Sequence, residues 1–416
     1  MSEGLRLYHN SQGAEWRAPC GALPCGAKFR LTLDVLGAPS LDLKGFLRLW
    51  RDGSGETLIA LTEESGAPGA ARRLTAEIEA PDEPCLLWYY FWLQGLSGRI
   101  YYGNRADRLG GEGRVWAADP PSWQITVYRP APVPAWWRGG VVYQIFVDRF
   151  YRGAEWSARD AVARLGRAEE RRGPRRLLHL DWNDTPFYTR DARGRVTRWP
   201  FFGGTLTGVK EKLPYLKELG VSVLYLNPIF TGASNHKYDT ADYYEVDPGF
   251  GGTEAFQALL AAAESEGIAV ILDGVFSHTG RDSLYFDGDG NYGTAGAADG
   301  DSPYHAWYRW KEGGGYESWW DIDDLPNVDE LNPAFQDFVW RGESSVIRYW
   351  MRAGVRGFRL DVADELPDEF IKGIRRAVKE TDPEGVLVGE VWEDASNKVS
   401  YGARRQYFDG DELDAT

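Results

Sequence analysis

The chain has 416 residues, 43% hydrophobic and 26% charged, the balance of a folded protein larger than one ordinary domain. A formal net charge of −15 argues against nucleic acid and anionic membrane surfaces as partners, since both need a basic face. No run approaches the roughly 18 consecutive apolar residues of a membrane span.

Met1-Ser2-Glu3-Gly4-Leu5 has neither a basic n-region nor an apolar h-region, so no signal peptide is visible and a cytoplasmic location is expected. Cys20, Cys25 and Cys85 are odd in number and lack metal-ligand spacing, which reads as free thiols in a reducing compartment. The 18 Trp and 22 Tyr fit a large aromatic core or flat platforms for sugar rings, and the count alone does not separate the two.

Residues 1–132 read as all-β. Phe29–Val35, Gly45–Trp50, Thr57–Leu61, Arg73–Glu79, Cys85–Leu93, Arg99–Tyr102 and Trp123–Tyr128 are strands separated by turn-forming clusters such as Arg51-Asp52-Gly53-Ser54-Gly55. Seven short strands predict a β-sandwich. Pro130, Pro132 and Pro134 form a stiff connector, and 133–416 is a second domain.

There the pattern changes. Val141–Val147 is an almost wholly apolar strand, and residues 151–200 are a polar, Arg-rich insertion expected to be loop with one short helix. An amphipathic helix over Val209–Leu219 leads to a strand over Val221–Leu226. A helix over Thr253–Ala262 leads to a strand over Ala269–Asp273, helix 334–352 to strand Val355–Val362, and helix Glu369–Lys379 to strand Val386–Glu390. Apolar strands alternating with helices predict a parallel sheet covered by helices. A polar residue stands at each strand's carboxyl end: Asp148, Asn227, Asp273, Asp361 and Glu390. An α/β barrel keeps its active site at that rim. A doubly wound sheet is the alternative, but no Gly-rich turn follows the first strand, and Gly249–Gly252 follows Pro248. Five strands fall short of the eight of a closed barrel, so the expected architecture is an incomplete (β/α)8 barrel in an interrupted chain.

Arg359 and Asp361 are two apart and share a strand face. A cation beside Asp361 is expected to keep it ionised, as a nucleophile at a sugar carbon requires. Glu390 ends the next strand, and neighbouring strands lie about 4.8 Å apart. That suits the roughly 5–5.5 Å between the carboxyls of a retaining glycosidase, with Asp361 as nucleophile and Glu390 as acid/base. Partial desolvation beside Val391 and Trp392 would raise the Glu390 pKa toward that of an acid, and Trp392 is a candidate substrate-binding ring. Asp273 is placed to orient Arg359, and His278 to donate to a sugar hydroxyl. Zinc at His236 and His278 finds no ligand spacing. Segment 281–330 is too long for a simple loop. Within it Asp287-Gly288-Asp289-Gly290-Asn291 has the oxygen-rich look of a calcium loop without the closing Glu of an EF-hand. No cofactor is required, and calcium is the candidate ion.

Residues 141–416 resemble the α-amylase family of glycoside hydrolases, glycoside hydrolase family 13. The motifs are Val142–Phe150, Asp273–His278, Leu325–Asp329, Gly357–Asp361 and Gly389–Trp392, in the family's order. The resemblance implies that Arg359 supports the nucleophile, that His278 contacts the sugar in the cleaved subsite, and that Tyr238 lies under that sugar. It makes 278–330 a domain B inserted after the third strand. Asn235–Tyr243 and Val362–Glu365 are similar to the neopullulanase, cyclomaltodextrinase and maltogenic amylase group, whose N-terminal β-sandwich serves in dimerisation or starch binding. The implied partner is an α-glucan, with a homodimer through the N-terminal domain. The chain departs from the family in three respects. Ser277 stands for Asn, and Asp364-Glu365 for a Lys-His pair. The third catalytic Asp would lie beyond Thr416. The implied activity is retaining hydrolysis of α-1,4 links in maltodextrins, cyclodextrins or pullulan. A glucosyltransferase or isomerase with the same nucleophile, or a non-catalytic glucan binder, is the alternative.

Overall fold

The computed structural model describes residues 5–37, 43–64, 72–95, 98–170, 175–192, 194–293 and 296–416. The leader reading rests mostly on Met1 to Gly4, outside the described residues. Contacts divide the chain into one unit of Met1–Ala131 with Gln406–Gly410 and a second of Pro132–Arg405 with Asp411–Thr416.

The first unit is built from two largely antiparallel sheets. In one, Lys28–Leu36 pairs with Arg6–Tyr8, Arg17–Ala18 and Arg72–Glu79. In the other, Cys85–Gly95 pairs with Lys44–Arg51, Gly98–Gly103 and Trp123–Tyr128. Strand periodicity sends alternate side chains to one face. Leu87, Tyr89, Phe91 and Leu93 therefore meet Leu31, Leu33 and Val35 in one apolar core. His9 lies in that core, wholly buried, with Nδ1 2.7 Å from the Thr32 carbonyl and Nε2 2.9 Å from the Tyr89 hydroxyl. Burial is the main cause that pulls its pKa down to about 4.

In the second unit five parallel strands lie side by side in chain order: Val142–Ile145, Val223–Leu226, Ala269–Gly274, Gly357–Leu360 and Val386–Gly389. The order never reverses, so the sheet lacks the switch point of a doubly wound fold. It is the strand order of a barrel wall. Val223–Leu226 is buried at every residue. At Gly357 a Cβ would stand 2.0 Å from the Val386 carbonyl oxygen, so only glycine lets the fourth strand start this close to the fifth.

Two expected helices are interrupted. The Val209–Leu219 helix is two short ones, Leu206–Glu211 and Leu213–Glu218, because Pro214 lacks an N–H and restricts the residues before it. Helix 334–352 is a turn over Pro333–Gln336, a π-turn over Asp337–Arg341 and, after a break at Gly342–Ser345, a helix over Val346–Arg352. The insertion 151–200 holds the expected helix, 12 residues long, and strands that were not expected. A helix over Ala158–Glu169 is capped by Ser157, Arg176–Leu178 pairs with Val196–Phe201, and Thr189–Arg190 pairs with the latter. A buried ion pair anchors it: Arg176 donates to both Asp247 oxygens at 2.8 and 2.7 Å. That partner lies 71 residues away, so local sequence carried no sign of it.

Candidate active site

The parallel register assembles the site. Asp273 is paired with Arg359, and Leu360 with Gly389, so the next residues, Asp361 and Glu390, stand at neighbouring strand ends. Asp361 N–H donates to the Gly274 carbonyl (3.1 Å) and Glu390 N–H to that of Leu360 (2.9 Å), carrying the ladder one residue past each strand. One guanidinium joins the carboxylates. Arg359 Nη1 donates to Asp273 Oδ1 and Asp361 Oδ1, each 2.8 Å, and Nη2 lies 2.8 Å from Glu390 Oε2. Glu390 Oε2 also accepts the Val362 N–H at 2.9 Å. Val362 takes a left-handed backbone (φ +41°), rare for a β-branched residue. Asp361 Oδ2 and Glu390 Oε1 have no partner among the described residues.

The cluster corrects one expectation. Arg359 alone was expected to hold Asp361 ionised, yet the Asp361 pKa is raised. Burial is the largest cause, the Asp273 charge adds to it, Arg359 opposes, and Glu390 adds a smaller push. Three carboxylates share one cation, so a single guanidinium does not offset the desolvation and mutual repulsion. Asp273 is also raised, by burial first, against the pull of Arg359, Tyr225 and Tyr238. The group titrates as a set.

Tyr238 and its neighbours hold Asp273. Its Oδ2 accepts the hydroxyls of Tyr225 (2.5 Å) and Tyr238 (3.0 Å). Asn227 Nδ2 donates to the Tyr238 oxygen at 3.1 Å, and Gln144 Nε2 to Asn227 Oδ1 at 3.0 Å. His278 is buried, and burial pulls its pKa down to about 4, so it is neutral near pH 7. Its Nδ1 lies 2.9 Å from Ser277 Oγ, while Nε2 is buried without a partner.

Arg359, Asp361, Glu390, Tyr238, His278 and Trp392 line one cleft of about 700 Å³. Asp273, 1% exposed, sits behind them. Asp148 is elsewhere: it is buried, accepts the Phe202 and Gly203 N–H groups and pairs with Arg149, as a strut. Leu325–Asp329 bridges back to the site, with Asn327 against His278 and the Val328 N–H on the Ser277 carbonyl (3.1 Å).

Tyr225, Trp199 and Trp319 join the site without being among the residues that the sequence singles out. Tyr225 was within reach, because it precedes strand-end Asn227 by two and so shares its face. Trp199 comes from the 151–200 insertion and Trp319 from 281–330, and both line the cleft through contacts no local pattern announces. The oxygen-rich run is spent on protein groups. Asp287 Oδ1 accepts the Asn291 N–H at 2.6 Å, and Asp289 pairs with Arg175 and Arg281, each at 2.7 Å. Among the described residues no group of three His, Cys, Asp or Glu is arranged to hold a metal ion.

Residues 144–414 match the family described as Alpha amylase, catalytic domain. The chain is 37% identical over 421 residues to an amylopullulanase of Thermoanaerobacterium saccharolyticum, a match covering 94% of this chain and 32% of that protein. It is 35% identical to neopullulanase 2 of Thermoactinomyces vulgaris over 63% of this chain and 40% of that one. The type III pullulan hydrolase of Thermococcus kodakarensis is a structural neighbour with a TM-score of 0.55 at 25% identity, covering 98% of this chain and 64% of that one. The chain thus spans about a third of that amylopullulanase and under half of that neopullulanase.

Proposed function

The chain belongs to the α-amylase catalytic-domain family, and from that premise we propose that the protein is a retaining hydrolase of α-1,4 links in α-glucans such as maltodextrins, cyclodextrins or pullulan. The carrying observation is Arg359, which ties Asp361 and Glu390 together from adjacent strand ends in a cleft of about 700 Å³.

Each residue then has a role. Asp361 Oδ2 attacks the anomeric carbon as the bond from that carbon to the leaving oxygen breaks. Glu390 Oε1 gives its proton to that oxygen, then takes one from the water that releases the sugar from Asp361. Arg359 orients both acids. Asp273, fixed by Tyr225 and Tyr238, holds Arg359 in turn. His278 Nε2 meets a sugar hydroxyl, and the Tyr238 ring floors the pocket. Since Asp361 attacks only when ionised, the raised pKa of its cluster sets the acidic limb of activity.

The test is the anomer first formed from maltotriose, read by proton NMR before mutarotation. Retention gives the α-anomer. A β-product would remove Asp361 from the nucleophile role, and bound maltotriose without hydrolysis would leave a glucan-binding protein.

A further inference from the structure

The hydrogen bonds behind Tyr238 all run in one direction. Strand register gathers their owners: Gln144 is paired with Tyr225, Tyr225 with Ile271, and Asp273 with Arg359. Side chains two apart share a strand face, which adds Asn227 to Tyr225 and Asp273 to Ile271. Gln144 Nε2 donates to Asn227 Oδ1 (3.0 Å), Asn227 Nδ2 to the Tyr238 oxygen (3.1 Å), and the Tyr238 hydroxyl to Asp273 Oδ2 (3.0 Å). Arg359 donates to the other Asp273 oxygen at 2.8 Å.

The direction follows from the end of the chain of bonds. An ionised carboxylate only accepts, and a hydroxyl has one proton. Once Tyr238 gives that proton to Asp273, its oxygen can only accept. It then needs the amide nitrogen of Asn227, and the Asn227 oxygen needs that of Gln144. Gln144 itself is exposed, so water could serve its amide and packing does not explain its place. We infer that Gln144 and Asn227 are positioning residues that act through Tyr238: they set the direction of its hydroxyl and so keep Asp273 the ionised partner of Arg359. The inference rests on the retaining-hydrolase reading for its kinetic consequence alone. With the direction reversed, Tyr238 gives its proton to Asn227, and Asp273 keeps the Tyr225 hydroxyl but loses that of Tyr238. Losing a donor raises a carboxyl pKa. The other charged or titratable groups around Asp273 and Asp361 are Arg359, Glu390 and Tyr243, with His236 and His278 in the same cleft. Gln144 is neutral, so its bond reaches them only through the amides.

The test changes the head of the chain. Gln144→Glu can only accept and should turn Asn227 round, Gln144→Lys can only donate and preserves the direction, and Gln144→Met does neither. The Asp273 titration is followed by carbon NMR of protein labelled at the aspartate carboxyls, assigned with Asp273→Asn. It should move up by about one pH unit in Gln144→Glu, part of the way in Gln144→Met, and stay at its parent position in Gln144→Lys. Equal and opposite shifts for Glu and Lys with none for Met would overturn the inference in favour of a through-space field, and no shift in any variant would overturn it outright. In turnover of maltotriose the acidic limb of kcat/KM should follow the same order. An inactive parent would fail the hydrolase reading and leave the NMR titration to decide this one.

Discussion

The sandwich core and the rim of the parallel sheet both bury titratable groups, and they treat them in opposite ways. In the sandwich, His9 has both ring nitrogens bonded to neutral partners. At the rim, Asp361 Oδ2, Glu390 Oε1 and His278 Nε2 are unspent beside a cleft, and the carboxylates outnumber the one guanidinium that binds them. A third buried site shows that charge is not the distinguishing feature. Asp247 is wholly buried between Arg176 and Lys237, and both its oxygens are taken, by the guanidinium, the ammonium (2.7 Å) and the Gly249 N–H (2.7 Å). Fully spent polar atoms hold a fold. Unspent ones facing a cavity are free to act on something else.

The largest test of that contrast is Asp361→Asn. It should lower kcat by about 10⁴-fold or more, with an unchanged or higher melting temperature, because a buried carboxylate with a raised pKa is relieved of its charge. A melting temperature lowered by many degrees would place Asp361 with the structural group. Next, Asp247→Ala leaves two buried cations uncompensated and should destabilise the second unit by about 3–5 kcal/mol, seen as a lower urea midpoint. An unchanged midpoint would show that the buried pair is not structural.

The contrast sharpens with pH. His9 has a folded pKa of about 4 and unfolds to an ordinary histidine near 6.5. The unfolded chain therefore binds the extra proton as pH falls from about 6.5 to 4, and up to about 3 kcal/mol of the first unit's stability is lost over that window. Denaturation followed at pH 7, 5.5 and 4 should show the loss, and His9→Gln should flatten it. At the rim the sign reverses: burial raises Asp361 and Asp273 above their unfolded values, so the folded state holds the extra protons and stability falls as pH rises above about 4. The acidic limb of kcat/KM should lie above the ordinary carboxylate range. Asp273→Asn removes a like charge, so in the residual activity that limb should move down by about one pH unit.

Much of the site is legible in the sequence, for a definite reason. Asp361, Arg359 and Glu390 owe their placement to strand periodicity and to one strand-helix-strand unit, both local features of sequence. The cleft walls were not legible. Residues 151–200 read as loop with one short helix, and their strands are not legible because they are short and their anchor, Arg176, finds Asp247 across 71 residues. Trp319 and Trp320 give no sign that their indole N–H groups meet the Glu365 carboxylate 46 and 45 residues on. The continuous helix over Val209–Leu219 was a misreading of apolar period, which Pro214 overrode.

Composition, strand-end carboxylates and helix-strand alternation belong to the sequence alone, because backbone geometry imposes periods of 2 and 3.6 whatever the surroundings. The protonation of Asp361 and the bond from Tyr238 to Asp273 belong to the tertiary structure. Both depend on distances between groups far apart in the chain and on how much water lies between them, and Coulomb energies and desolvation answer only to that arrangement.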